Sequence, residues 1–404
     1  MHEVILSQYK SLKNEDLKID LTRGKPSSSQ LDLSNDLLSI DIETHTQSGA
    51  DIRNYGEPFG INEARKLGAE LLEAPIENTI AAEQSSLLLS YQYLLANYLY
   101  GLNNKPWKEI EKPKFICPTP GFDRHFRMLD ELGIEMLSVP LIGDGVDLGT
   151  LKDVLSQNQN VVGIICVPRH SNPSGDIYSD KNILSMFEIC SKYSSDLVFL
   201  FDNAYLIHDL PNAPEQSSIW SLADKANVKD QTLVLTSFSK VTFGGGGLAF
   251  CAAGDKSLFL LKEIRTSMVI CPDKVNQIRH VNFFKNKENI IAHMKKHAEI
   301  IEPKFKLTST VLKNIPSECG NFSNPTGGYF ITYTTSKPIA TKVVELCKNA
   351  GVLITPAGAT FPYGYDPNDS VIRIAPTFVE AEELQKAIEV FAASVQLAHF
   401  DIEI

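Results

Sequence analysis

Six short apolar runs, each closed by turn residues and separated by stretches of helical pattern, leave this chain few architectures. They are KFICP (Lys114 to Pro118), EMLSVPL (Glu135 to Leu141), VVGIICVP (Val161 to Pro168), LVFLFD (Leu197 to Asp202), TLVLTSF (Thr232 to Phe238) and LAFCAAG (Leu248 to Gly254). Runs this apolar and this short are expected to be buried strands. Strands alternating with helices predict a mainly parallel sheet covered on both faces, an α/β fold, over residues 50–280.

Beyond residue 285 the pattern changes. A charged helical stretch, KNKENIIAHMKKHAEIIEPKFKLTSTVLKNI, precedes two strand candidates, Tyr329 to Thr335 and Val371 to Thr377. An amphipathic helix over Val379 to Leu397 follows. A chain of 404 residues exceeds what one core usually fills. The expectation is a large domain over 49–284 and a smaller α+β domain built from both termini, 1–48 and 285–404.

Charge narrows the partners. With 38 basic and 49 acidic residues the net charge is -11, which argues against nucleic acid. The seven cysteines have no metal-ligand spacing and sit mostly in apolar runs, so no metal is expected. Their odd number, the lack of a leader-like N-terminus and the lack of an 18-residue apolar span predict a cytoplasmic protein off the membrane.

The chemistry gathers at the strand ends, where open α/β sheets bind ligands. Lys240 follows the run TLVLTSF and precedes a glycine run, Gly244 to Gly247. A lysine there is either an ordinary surface residue or an amine kept reactive by desolvation, poised for a Schiff base with an aldehyde cofactor. Asp202 closes LVFLFD, and a carboxylate beside buried surface needs a cation unless it merely caps a turn. A protonated pyridine nitrogen is such a cation. Tyr205 and Asn172 stand in the turns that follow two strands and add hydrogen-bonding groups there. Ser85 and Ser86 open an apolar-periodic helix, and Ser237 and Ser239 precede the lysine; these hydroxyls are candidates for a phosphate. Arg373, between Ile372 and Ile374, calls for an anionic partner that its planar fork can grip.

These segments resemble class I, fold-type-I aminotransferases that use pyridoxal 5′-phosphate. More narrowly, they resemble an aspartate aminotransferase subgroup sometimes labelled MocR-type. The resemblance rests on DLTRGKPSSSQLDLSN, DIRNYGEPFGINEAR, KFICPTPGFDRHF, CVPRHSNPSG, FDNAYLIHDL, SFSKVTFGGGGLAF, CPDKVNQIRH and LITPAGATFPYGYDPNDSVIRIAPTF, in order along nearly the whole chain. The chain opens almost at the aminotransferase-like part, so a preceding DNA-binding domain is not expected.

The resemblance implies that Lys240 carries the cofactor, Asp202 holds its ring nitrogen, and Tyr205 and Asn172 bind its phenolic oxygen. It implies Phe122 stacked on the ring, His125 bonded to Asp202, and Gly24 and Arg373 on the substrate, with Arg373 taking the α-carboxylate. Tyr55 would reach the phosphate of a neighbouring subunit in a homodimer. Two positions depart from the family pattern. Leu248 stands where many relatives have a phosphate-binding arginine, which leaves the Gly244 to Gly247 backbone for that work. Glu83 precedes the serine pair and is expected to point away from a phosphate. The function so implied is ping-pong transfer of an amino group from an amino acid, aspartate above all, to a 2-oxo acid such as 2-oxoglutarate. Arg23, Lys25, Arg124 and Lys274 are candidates for a side-chain carboxylate. A β-lyase or decarboxylase on the same scaffold, or a non-catalytic relative, is the alternative.

Overall fold

The computed structural model describes residues 2–403. An opening helix, His2–Lys13, leads to a two-residue strand, β1 (Ile19–Asp20). The large domain then contributes β2 (Thr79–Ala82), β3 (Lys114–Thr119), β4 (Glu135–Pro140), β5 (Val161–Cys166), β6 (Val198–Asp202), β7 (Thr232–Ser237) and β8 (Ala249–Ala253). These form one sheet in the order β2-β8-β7-β6-β5-β3-β4. Its pairings are parallel except those of β8, which runs against both β7 and β2.

The inner apolar runs become strands because both faces of the sheet are covered there, whereas the edge strand β4 keeps Glu135 and Ser138 exposed. Along β6, Phe199 and Phe201 enter one core while Val198 and Leu200 enter the other. Phe187, from the helix Asp180–Tyr193, packs edge-on against Phe199 and Phe201 with centroids 4.7 and 5.7 Å away. On the opposite face lie the helices Ser86–Leu99 and Asp255–Met268, through Leu89, Tyr93, Leu261 and Ile264. All seven cysteines are free, and all but Cys271 are buried as small apolar groups.

Within the large sheet, β2 is the strand that the sequence pattern passes over. Its four residues, TIAA, include two alanines of weak strand preference. Pairing with β8 makes them a strand, and all four are buried.

The C-terminal part adds β9 (Gly320–Phe322), β10 (Ile331–Thr335), β11 (Val352–Leu353) and β12 (Val371–Ile374). An antiparallel sheet runs β12-β10-β9, while β11 pairs with β1 and so fastens the N-terminal segment to the C-terminal one. Their shared core includes Tyr9 and Leu21 from the N-terminal side, with Tyr333, Val352 and Phe391. The 26-residue helix Lys287–Leu312 belongs to both bodies. Its Ile290 and Met294 pack in the large core, and its Ile301, Phe305 and Leu312 pack in the small one. Among the described residues no helix is long and apolar enough to cross a membrane.

Sheet order opens the crevice. β3 lies between β4 and β5, so the chain leaves β3 toward one edge and returns on its other side. Loops after β3 and β5 therefore part company there, as ligand sites in open α/β sheets require.

Candidate active site

A cavity of about 460 Å³ lies at these strand ends. It collects Phe122 from beyond β3, Asn172 from beyond β5, Asp202 and Tyr205 at and after β6, and Lys240 from beyond β7. Gly24, Phe330, Thr355 and Arg373 close it from the small-domain side.

Asp202 is almost wholly buried, and its Oδ2 lies 2.9 Å from His125 Nε2. Its Oδ1 is buried with no hydrogen-bond partner among the described residues. Burial pushes this carboxyl up, but His125, the Ser86 hydroxyl and Lys240 outweigh it and hold the group below the usual carboxylate range. Phe122 packs edge-on to His125 with centroids 5.0 Å apart, which fixes the imidazole against Asp202. Burial lowers the Lys240 amine from its ordinary value, with Asp202 opposing in part. Its Nζ lies 5.0 Å from the centroid of the Tyr205 ring, whose phenol is pushed up by burial. The backbone of Lys240 is held from below, since Tyr329 Oη donates to its carbonyl at 3.3 Å.

Arg373 is anchored rather than mobile. Its Nε donates to Thr355 Oγ1 at 3.2 Å, Nη1 to Asn172 Oδ1 at 3.2 Å and Nη2 to the Thr22 carbonyl at 3.0 Å. A guanidinium has five N–H groups. Those bonds leave one on each terminal nitrogen, a pair matched to a carboxylate. The guanidinium stacks over Phe330 with its carbon 4.9 Å from the ring centroid. Gly24 lets that ring in, because a Cβ at position 24 would lie 2.5 Å from Phe330 Cζ. Gly24→Ala is therefore expected to displace the ring and tilt Arg373, at about 1–3 kcal/mol of overpacking. A raised KM for the amino acid together with a lowered Tm checks it; an unchanged KM would separate the glycine from the site.

The candidate phosphate groups are less concentrated. Ser86 faces Asp202, while Ser85 lines a second cavity of about 830 Å³ with Gly245, Gly246, Gly247 and Arg279. Ser237 Oγ donates to Ser239 Oγ at 3.2 Å, and Ser239 Oγ donates to the Gln84 carbonyl at 2.9 Å. Gly247 packs so closely that a Cβ would meet the Gln84 carbonyl oxygen at 2.7 Å and the Ser239 nitrogen at 3.0 Å. Glu83 also lines the second cavity, with its Oε1 2.5 Å from Nη1 of the fully buried Arg265, which neutralises it. Tyr55 is 74% exposed and stands outside the main cavity. Of the four candidate cations, Arg23 and Arg124 line the cavity. Lys25 lies instead over Phe378 at 3.7 Å, and Lys274 donates to the Asp51 and Tyr55 carbonyls. Thr22, Thr355 and Asp123 went unnoticed in the sequence. Nothing in a lone threonine signals that it will dock an arginine, whereas Asp123 was visible as an acid beside Phe122 in the GFDRH segment.

Comparison with known proteins decides the family. The model of the aspartate amino-transferase family matches residues 1–403. The aspartate aminotransferase of Corynebacterium glutamicum is 35% identical over 98% of this chain and 93% of its own. A crystal structure of an aspartate transaminase from that organism superposes with a TM-score of 0.94, at 35% identity, over 99% of this chain and 96% of the other. The chain belongs to the aspartate aminotransferase family. At 18% identity the α-aminoadipate aminotransferase LysN of Thermus thermophilus shares the fold, with a TM-score of 0.78 over 94% of this chain and 92% of its own.

The family works with pyridoxal 5′-phosphate, and the residues here suit that group. The unpaired Asp202 Oδ1 is an acceptor awaiting a cationic N–H, which the protonated ring nitrogen provides. Lys240 would offer a desolvated amine to the aldehyde, and Phe122, lining the same cavity, would offer an aromatic face to the ring. Family membership makes the protein an aminotransferase of fold type I.

Proposed function

We propose that this aminotransferase exchanges the amino group of aspartate with 2-oxoglutarate by a ping-pong route, within the subgroup sometimes labelled MocR-type. The observation that carries the dicarboxylate reading is a cavity holding the anchored Arg373 together with Arg23 and Arg124. Pyridoxal phosphate, when bound, supplies the electron sink that stabilises charge at the substrate Cα.

The chain's own residues do the rest. Lys240 would hold the cofactor and, once its amine is released, would take the proton from the substrate Cα and deliver it to the cofactor carbon that receives the amino group. Asp202, oriented by His125, keeps the ring nitrogen protonated, while Tyr205 and Asn172 serve the phenolic oxygen. Arg373 and the Gly24 backbone seat the α-carboxylate. Ser85, Ser86, Ser237, Ser239 and the close-packed Gly247 backbone are assigned to the phosphate side in place of an arginine at Leu248. Exposed Tyr55 is assigned to the phosphate of a second subunit, in a cytoplasmic homodimer.

Arg23 is the better cation for the side-chain carboxylate. Arg124 Nε already has Asp123 Oδ2 at 3.9 Å, while Arg23 has no ion pair among the described residues. Arg23→Ala is expected to raise the KM for aspartate by about tenfold, the worth of one charge-assisted contact, and to leave alanine unaffected. The absorbance of purified enzyme with cofactor tests the whole reading. Aspartate should convert the aldehyde form to the amine form, and 2-oxoglutarate should restore it. A spectrum indifferent to aspartate, or release of ammonia or carbon dioxide without a 2-oxo acid, would defeat it.

A further inference from the structure

The site must accept a carboxylate at Arg373, yet one of the chain's own carboxylates already faces it. Asp123 Oδ1 stands 3.8 Å from Arg373 Nη1, and its Oδ2 stands 3.9 Å from Arg124 Nε. Both separations are beyond a hydrogen bond, so each is a charge contact that can be given up without breaking a directed bond. The two arginines differ in freedom. Arg373 is 7% exposed in its side chain and tied by three hydrogen bonds, whereas Asp123 and Arg124 are 41% and 50% exposed. Arg373 is thus the fixed member of the trio, and Asp123 and Arg124 are the two free to move against it.

We propose that Asp123 is a displaceable counter-ion that sets the affinity of Arg373 for substrate. In the free enzyme it neutralises Arg373. When a carboxylate takes the free N–H pair of Arg373, like charge drives Asp123 away and Arg124 receives it. This rests on reading Arg373 as the carboxylate site, and it makes Asp123 a specificity-determining residue. The cavity thereby favours anions that grip Arg373 bidentately, because a singly bonded anion does not offset the lost pairing. It also accounts for the single acid between Arg124 and Arg373: Arg124 serves Asp123, leaving Arg23 for the substrate's second carboxylate.

The test uses holoenzyme and succinate, an unreactive dicarboxylate, with binding read by calorimetry. Asp123→Asn is expected to lower its Kd about tenfold at low salt, and the gain should shrink at about 0.5 M salt, where charges more than a few Å apart are screened. Arg124→Ala removes the resting place and is expected to raise the Kd several-fold, an effect that should vanish when Asp123→Asn is also present. Asp123→Glu should stay near the wild-type value. Steady-state assays should register the Asp123→Asn change in KM for aspartate. Arg373→Lys serves as the reference: if succinate binds it as it binds wild type, the assignment of Arg373 as the carboxylate site fails. If Arg373→Lys weakens binding while Asp123→Asn leaves it equal or weaker, the counter-ion proposal is overturned. Should Asp123→Asn not fold, because the acid also opens the helix Asp123–Glu131, the Arg124→Ala and Asp123→Glu responses decide alone; an unchanged Kd in Arg124→Ala would reject the proposal.

Discussion

Lys240→Ala is expected to cut transamination by at least about 10³-fold, within the range that loss of a positioned acid–base group produces, and to leave the circular dichroism of the protein unchanged. The reasoning starts from β7, whose six residues are all buried and which delivers the chain to position 240 at the sheet's carboxyl end. There burial lowers the amine below its ordinary value, so more of it is uncharged and nucleophilic at neutral pH than of an exposed lysine. Two functions are lost together on truncation, the covalent hold on the cofactor and the proton carrier at Cα. Borohydride reduction followed by mass spectrometry separates them from a mere charge effect. Wild-type protein should gain the mass of one reduced cofactor per chain and the alanine variant none. Lys240→Arg keeps a cation near Asp202 yet cannot condense with an aldehyde, so it should be as inactive as alanine. Activity retained by the arginine variant would reduce Lys240 to an electrostatic role.

The placement of Lys240 was legible because it follows a short strand centred on Leu233, Val234 and Leu235 whose six residues are all buried, and such a run leaves little choice of structure. The same logic recovered the other five predicted strands of the large sheet and Asp202 at the tip of β6. It failed for β2, where alanines carry little strand signal and the pairing partner, β8, lies some 170 residues away along the chain. Arg373 was legible as an arginine in need of an anion, but its anchors were not: Thr22 and Thr355 come from distant segments and meet it only after β1 and β11 have paired. The serines were legible as hydroxyls near the lysine, but their bonding was not: Ser239 Oγ donates to the Gln84 carbonyl. A hydroxyl's neighbours depend on side-chain direction, which periodicity does not encode. Glu83 shows the same limit: its pairing with Arg265, 182 positions later, leaves no trace in the local sequence.

Asp202→Asn is expected to lower kcat by about 10²–10³-fold, the scale seen when one preorganised electrostatic partner is removed from a closed site. The side chain keeps its shape, and an amide can still bond His125 Nε2, so the packing around β6 survives. What goes is the negative charge. In wild type the buried Oδ1 has no partner among the described residues, and a desolvated lone pair of this kind is costly unless a cation meets it. With asparagine there, the ring nitrogen of the cofactor has no counter-charge and its proton is no longer held, so the electron sink weakens while binding of the phosphate side is untouched. Stability should respond to pH in a defined sense. The folded-state value of Asp202 is lowered, so its contribution is present above the unfolded carboxyl value and is lost as pH falls through the folded one. Thermal melts of the two apo proteins should therefore differ in favour of wild type at neutral pH and converge in acid. His125→Ala divides the remaining possibilities. It removes the group that orients Asp202 but not its charge, and should cost about tenfold in kcat, far less than Asp202→Asn. Equal losses in the two variants would mean that Asp202 works through His125 and not through a charge of its own.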